Sequence, residues 1–390
     1  MNKKTLLLWF IINVTLIVGC SSKPSFIPPS QPLQTLKPAS QVTTPQIKKI
    51  TLLLPLTGNL ANSGKAVQNG FLAAYYQSLQ HEKNTISINV VDTTSTNVKE
   101  LYNRSISQGS DFIIGPLTKS DVQTITTFKR LAVPTLVLNT VDNYSSNIIP
   151  NLYQFGLSSR DEAIQITKKA WDQNLRKALI IAPNNTRGRN LAAALNDTWQ
   201  YFGGTVKTII PYNDISSANQ NIRTTLNINS DKNLKPNAKF TTYEGNDIDV
   251  VFLIASPEQG REVQPLIRFY INPNIPVYAT SDIYSGIMQA SLDSDLEGIT
   301  FCDMPWILQA DKLREPLMSL PRNSYARSQE RLYALGIDAY YLMLNLNQLI
   351  ENSNVGLEGA TGLLNIDKYH HVYRTLIFAQ IRNGVATPIK

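Results

Sequence analysis

The stretch ITLLLPLTGNLANSGKAVQNGFLAAYY, residues 50–76, contains the change of period that decides the fold. Ile50–Leu56 is an unbroken apolar run, the pattern of a parallel strand buried on both faces. From Gly64 to Gln80 the apolar positions move to helical spacing, with Val67, Phe71, Ala74 or Tyr75, and Leu79 on one stripe. Strand followed by helix then repeats outward. Ile86–Val91, Asp111–Ile114 and Thr135–Leu138 read as strands, and Val98–Gln108 and Ser120–Arg130 as helices. A second series follows, with helices at Arg160–Gln173, Gly188–Phe202 and Gln259–Tyr270. Its strands are Lys177–Ala182, Thr205–Ile210, Val250–Ala255 and Pro276–Ala279. Two tandem α/β units result, each an open parallel sheet flanked by helices. Asn227–Asp247 is polar and Lys/Asn-rich, as in a surface insertion. Arg331–Ile350 is a long helix whose Leu332, Leu335, Ala339, Leu342, Leu346 and Leu349 form a core stripe. Tyr373–Arg382 reads as a closing strand before the Asn383-Gly384 turn.

The N-terminal end has a different composition. Lys3 and Lys4 precede an apolar run, Thr5–Val18, that ends at Gly19-Cys20. A basic start, a short apolar stretch and small residues at a cut site define a signal peptide. The run is shorter than the roughly 20 residues that span a bilayer. Cutting before Cys20 leaves its thiol for lipid attachment, so residues 1–19 are expected to be removed and Cys20 to anchor the chain. Ser21, rather than Asp, favours the outer membrane, on its periplasmic face. Residues 21–47 carry Pro24, Pro28, Pro29, Pro32, Pro38 and Pro45 among Ser, Thr and Gln, a composition that builds no packed core. The lipidated cysteine and this segment, 20–47, read as a tether reaching at most roughly 80 Å if extended as polyproline II.

The chain of 390 residues is 43% hydrophobic, enough for two domains. With Cys20 lipidated, Cys302 has no disulfide partner. The formal charge of +7 is not concentrated in a Lys/Arg run, so nucleic-acid binding is not indicated. Ligands of open α/β sheets sit beyond the carboxyl ends of the strands. Those ends carry Thr57, Asn59 and Ser63, then Gly115-Pro116, then Asn139-Thr140. In the second unit they carry Asn184, Ser256-Pro257 and Ser281-Asp282. These small polar loops suit a cleft for a small polar ligand. The same residue types serve as helix caps and turns, which is the commoner use of any one of them.

Catalytic chemistry has little support. Gly58…Gly64-Lys65 fails as a phosphate loop, because five residues separate the glycines and Ala66 stands where Ser or Thr would hold magnesium. There is no G-x-S-x-G elbow, no S-x-x-K and no K-T-G, so a penicillin-binding or β-lactamase active site is absent. No H-E-x-x-H or paired Cys/His spacing points to a metal, and no cofactor is implied. His81, His370 and His371 lie in polar stretches, and the His370-His371 pair reads as solvated rather than ligating. Asp303 and Asp338 are candidates only as any carboxylate would be.

Residues 50–76 are similar to the opening of the C-terminal domain of the LpoA/LppC family of penicillin-binding-protein activator lipoproteins. So are FIIGPLTKSDV (112–122), VPTLVLN (133–139), LYQFGLSSRDEA (152–163), GITFCDMPWIL (298–308) and RLYALGIDAYYL (331–342). The resemblance covers nearly all of 48–390, and the last two segments are the most specific. It implies a two-lobed fold like that of type I periplasmic binding proteins. By that analogy lobe I is 48–155 plus 283–362, and lobe II is 156–282 plus 363–390. The chain would pass between lobes near Tyr153–Gly156, Asp282–Ser285 and Thr361–Asn365.

The resemblance further implies a non-enzymatic lipoprotein that binds a class A penicillin-binding protein and stimulates peptidoglycan synthesis. Two departures stand out. Larger relatives have a helical-repeat domain where this chain has the Pro-rich segment. Transport-type relatives often place an aromatic, which packs on an amino-acid ligand, where this chain has Arg187 before Gly188. The alternatives are a periplasmic receptor for an amino acid or a muropeptide, and an unrecognised cell-wall hydrolase.

Overall fold

The structure is a computed structural model that describes residues 34–36, 47–79, 86–141, 148–228, 243, 247–309, 329–352 and 354–389. All of them fall in one compact unit, Leu33–Lys390. The first half runs β1 (Gln34–Leu36), β2 (Lys49–Leu54), α1 (Ala61–Ser78), β3 (Ser87–Asp92), α2 (Val98–Ser107), β4 (Phe112–Ile114), α3 (Lys119–Ile125), β5 (Thr135–Val137) and β6 (Leu152–Gln154). Then come α4 (Ser159–Asp172), β7 (Lys177–Pro183), α5 (Thr186–Phe202), β8 (Thr205–Tyr212), α6 (Ile215–Thr225), β9 (Val250–Leu253), α7 (Pro257–Tyr270) and β10 (Val277–Ala279). The last part holds α8 (Ala290–Asp293), β11 (Thr300–Asp303), α9 (Pro305–Leu308), α10 (Glu330–Glu351), β12 (Val355–Glu358), β13 (Leu363–Ile366), β14 (Val372–Thr375), β15 (Ile377–Arg382) and β16 (Val385–Ile389).

Two sheets carry the two lobes. Lobe I is the parallel sheet β3-β2-β4-β5-β6. Lobe II is β8-β7-β9-β10-β11, extended by antiparallel β15 and β16. Both parallel parts follow the doubly wound strand order, in which the second strand lies outside the first and later strands build the other way. The apolar runs behave as buried parallel strands should. In β2, Ile50, Leu52 and Leu54 pack in the core containing α1, while Leu53 joins α2 and α3 on the opposite face. Ile113 and Val137 join Leu53, so each strand is sandwiched by helices. The tandem units share one close approach. A Cβ on Gly64 would lie 1.9 Å from the Pro55 carbonyl oxygen, and one on Gly188 would lie 2.1 Å from that of Pro183. Glycine at these positions lets α1 and α5 start against their strand ends.

A third, small sheet, β1-β12-β13-β14, was not expected, and two segments pair differently from the sequence reading. First, β11 (Thr300–Asp303) pairs with β10 and β15, so it lies in the seven-stranded sheet. Phe301 and Cys302 are fully enclosed there, because α4 covers the strand. Second, the expected closing strand Tyr373–Arg382 is two strands in two sheets, broken at Leu376. Gln165 of α4 holds the break: its Oε1 accepts from the Leu376 amide at 2.8 Å and its Nε2 donates to the Arg374 carbonyl at 3.0 Å. The chain therefore joins the seven-stranded sheet at Ile377. Thr361–Asn365 instead forms a turn and part of β13.

Within the segment read as a tether, Gln34–Leu36 pairs in parallel with Val355–Leu357. Cys20 and residues 21–33 and 37–46 lie outside the described residues, as do His81 and nearly all of the 227–247 insertion. The helix expected to end at Arg130 stops at Ile125. No helix among the described residues is long and apolar enough to cross a membrane.

Candidate functional site

In each lobe the strand order reverses at one point, between β2 and β4 and between β7 and β9. Loops at such switch points form the ligand crevice of doubly wound sheets. Thr57, Asn59, Ser63, Gly115 and Pro116 stand at the first switch point, with Asn139 and Thr140 beyond the neighbouring β5. Asn184 stands at the second, with Ser281 and Asp282 beyond the neighbouring β10.

The lobe I residues are committed mostly to the backbone. Thr57 Oγ1 donates to Asp92 Oδ2 at 2.6 Å, and Asp92 Oδ1 accepts from the Leu56 amide at 2.8 Å. Burial opposes ionisation of Asp92, but the bonds from Thr57, Leu56 and Thr94 hold its carboxyl well below the usual range. Asp92 was missed in the sequence because the strand was read as ending at Val91. Asn139 donates to the Leu117 carbonyl at 3.0 Å and accepts from the Thr140 amide at 2.9 Å. A Cβ on Gly115 would meet the Leu53 carbonyl oxygen at 2.1 Å, and the Pro116 carbonyl accepts from Leu138 at 2.9 Å. Asn59 is exposed in a short 3-10 turn, and Ser63 is half-buried in the first turn of α1.

The lobe II residues are tied to charged groups. Arg187, in the first turn of α5, donates from Nε and Nη2 to both oxygens of Asp282 at 2.7–3.0 Å. Asn184 accepts from Arg189 Nη1 at 3.2 Å, while Asn185 caps α5 by accepting from the Gly188 amide at 2.8 Å. Ser281 is buried, and its amide and Oγ both donate to Glu162 of α4 at 2.9–3.0 Å. Next to it, Arg331 pairs with Asp303 and donates to the carbonyls of Ser281 and Tyr284 at 3.3 and 3.0 Å. Arg374 is 3% exposed, and its Nε and Nη2 have no hydrogen-bond partner among the described residues. Glu162 and Arg331 were not legible as site residues, since their partners Ser281 and Asp303 stand 119 and 28 residues away.

The His370-His371 pair is not simply solvated. Both rings are half-buried; His371 Nε2 lies 3.1 Å from Gln154 Nε2, and His370 stacks on Tyr153 at 4.7 Å. Burial moves His371 below the usual imidazole range. Among the described residues no group of three or more His, Cys, Asp or Glu could hold a metal ion. Cys302 is buried, and burial pushes its thiol well up, which suppresses the reactive thiolate.

Three carboxyls in this region are raised chiefly by burial: Asp161 to about 6, Glu162 to about 7 and Asp338 to about 6. Arg374 offsets part of the effect at all three, and at Asp338 the bonds from Thr361 and Ala360 offset more. Each binds its proton more tightly folded than unfolded, so folding takes up protons between about pH 4 and pH 7. The stability they add is full below that window and is lost as pH rises through it. His371, shifted down, works against them below its ordinary value. The melting temperature is expected to be about 4 °C higher at pH 5.5 than at pH 7.5, and Glu162→Gln should remove about half of that difference. A melting temperature that rises from pH 5.5 to pH 7.5 would show these groups to be ionised without penalty.

Residues 26–384 match the family model described as "LppC putative lipoprotein". The chain is 28% identical over 370 residues to the penicillin-binding protein activator LpoA of Vibrio cholerae, covering 89% of this chain and 60% of that protein. It therefore spans about three fifths of that relative's length. Among solved structures it resembles the C-domain of LpoA from Haemophilus influenzae, described as a regulator of PBP1A. The identity there is 26% and the TM-score 0.68, over 88% of this chain and 100% of that domain. A branched-chain amino acid ABC transporter protein from Rhodospirillum rubrum, described as a presumed one, matches at TM-score 0.62 over 88% and 99% of the two chains. Its identity of 14% shows the periplasmic-binding-protein-like fold alone. With a family match running from residue 26 to residue 384 over this two-lobed fold, the chain belongs to the LppC lipoprotein family.

Proposed function

We propose that this protein is an outer-membrane lipoprotein that binds a class A penicillin-binding protein and raises its peptidoglycan synthesis without catalysing a reaction itself. The observation that carries the reading is the match to the whole of a domain described as a regulator of PBP1A. The polar groups at the strand ends support it too, since most of them hold turns, caps and ion pairs. Binding biases the synthase toward an active conformation by as much free energy as the two synthase conformations differ in affinity for this chain. Cys20 supplies the anchor on the periplasmic face of the outer membrane, and the partner meets the domain from the wall side.

The test is direct binding. A Cys20→Ser form lacking residues 1–19 is immobilised and exposed to a purified class A synthase and to a monofunctional transpeptidase. Saturable binding of the first and none of the second is expected. Equal binding of both, or of neither, removes the reading.

The receptor reading makes an opposite forecast. At a thousandfold excess over its dissociation constant a ligand adds about 4 kcal/mol of stability. Free amino acids at millimolar concentration are expected to leave the melting temperature unchanged, because Arg187, paired with Asp282, stands where an aromatic would cover them. A clear upward shift with any of them would favour the receptor.

A further inference from the structure

Helix α10 packs against α1, α9, β12 and β13. One face belongs to lobe I. Gly70 of α1 and Gly336 of α10 meet backbone to backbone: a Cβ on Gly336 would lie 2.0 Å from the Val67 carbonyl oxygen, and one on Gly70 would lie 1.9 Å from that of Tyr333. Tyr340, one turn on, stacks edge-on against Phe71 at 5.3 Å.

The first turn of the same helix belongs to lobe II. Arg331 reaches Asp303 at the end of β11 and the carbonyls of Ser281 and Tyr284 beyond β10. Glu330 accepts from Trp306 Nε1 at 2.7 Å, and α9, which carries Trp306, packs against β15 and β16. Two turns beyond Arg331, Asp338 holds the turn between β12 and β13. Its carboxylate accepts from the amides of Ala360 and Thr361 at 2.7 Å each. That turn also accepts from the Trp306 amide through the Ala360 carbonyl at 2.9 Å.

We propose that α10 is an interlobe clamp, with Arg331 as its staple, fixing the angle between the lobes so that they present one rigid surface. One guanidinium donates to three groups of lobe II while its helix is wedged into lobe I. Asp303 is 2% exposed and Arg331 22%, so the pair is largely shielded from water. Closing or opening the lobes must either break these bonds or pull α10 from α1. The surroundings of the staple are charged on every side: Glu162 on α4, Asp282 beyond β10 and Arg374 on β14. A lysine cannot replace the fork, because a single ammonium cannot match its planar, bidentate geometry. The inference does not depend on the identity of the partner.

The test measures the lobe-to-lobe distance. Spin labels at Gln123→Cys on α3 and Gln200→Cys on α5, both exposed, report it by pulsed electron spin resonance on the full lipoprotein in detergent. The unaltered pair of lobes is expected to give one narrow distribution, and Arg331→Lys to widen it about twofold while the near-ultraviolet circular dichroism stays native. An Arg331→Lys protein that is folded and as narrow as its parent overturns the proposal. So does a parent distribution with two populations. Should Arg331→Lys fail to fold, Asp303→Asn must widen the distribution in the same way, and if neither folds the parent distribution decides.

Discussion

Gly336→Ala is expected to destabilise the protein by about 3 kcal/mol, although alanine is the better helix former by about 1 kcal/mol in a helix interior. The added methyl would stand 2.0 Å from a backbone oxygen of α1, and neither helix can yield without opening the Phe71–Tyr340 contact. Gly70→Ala should be comparably harmful, since its methyl meets the Tyr333 carbonyl. The double variant is expected to fall short of the sum, because one separation of the helices relieves both clashes. Denaturant unfolding of the three variants checks this. Losses under about 0.5 kcal/mol, the level of ordinary surface changes, would mean the helices are not in the contact described.

Asp338→Ala is the second large effect, with an expected loss of about 4 kcal/mol. The carboxylate accepts from two backbone amides and from Thr361 Oγ1, all within a site that is fully buried. Removing it strands two N–H groups, each worth about 1–3 kcal/mol when left unpaired. Asp338→Asn keeps one acceptor oxygen and turns a donor toward the others, so it should lose less, about 2 kcal/mol. The two variants are separated by their unfolding midpoints. Equal and small losses would show that the turn at Gly359–Thr361 finds other partners.

The parallel sheets were readable because strands buried on both faces must be continuously apolar, as in ITLLLPL and KALIIA, and because helices that pack on them must change the period. The β11 strand, TFCD, is short and ends in an acid, and its composition marked no element. The structure makes that acid the partner of Arg331. Tyr373–Arg382 has strand composition throughout, and nothing local marks the break at Leu376. The break depends on Gln165, more than 200 residues away, which completes the hydrogen bonding of the interrupted backbone.

The candidate site was half legible for the same reason. Small polar residues at strand ends are visible in a sequence; in the structure Thr57, Gly115, Asn139, Asn184 and Ser281 follow strands, while Asn59 and Ser63 stand in a 3-10 turn and the first turn of α1. Whether they face a ligand or their own backbone is decided by partners such as Asp92 and Glu162. The sequence presents these as ordinary carboxylates on a strand and a helix.

Activation of a synthase is the claim on which the account stands. The most direct measurement is the fraction of cross-linked product made from lipid II by a purified class A synthase, with and without the Cys20→Ser form lacking residues 1–19. A saturable rise in cross-linking is expected, with no product when the chain is incubated with lipid II without the synthase. An unchanged fraction at concentrations that saturate binding would contradict it.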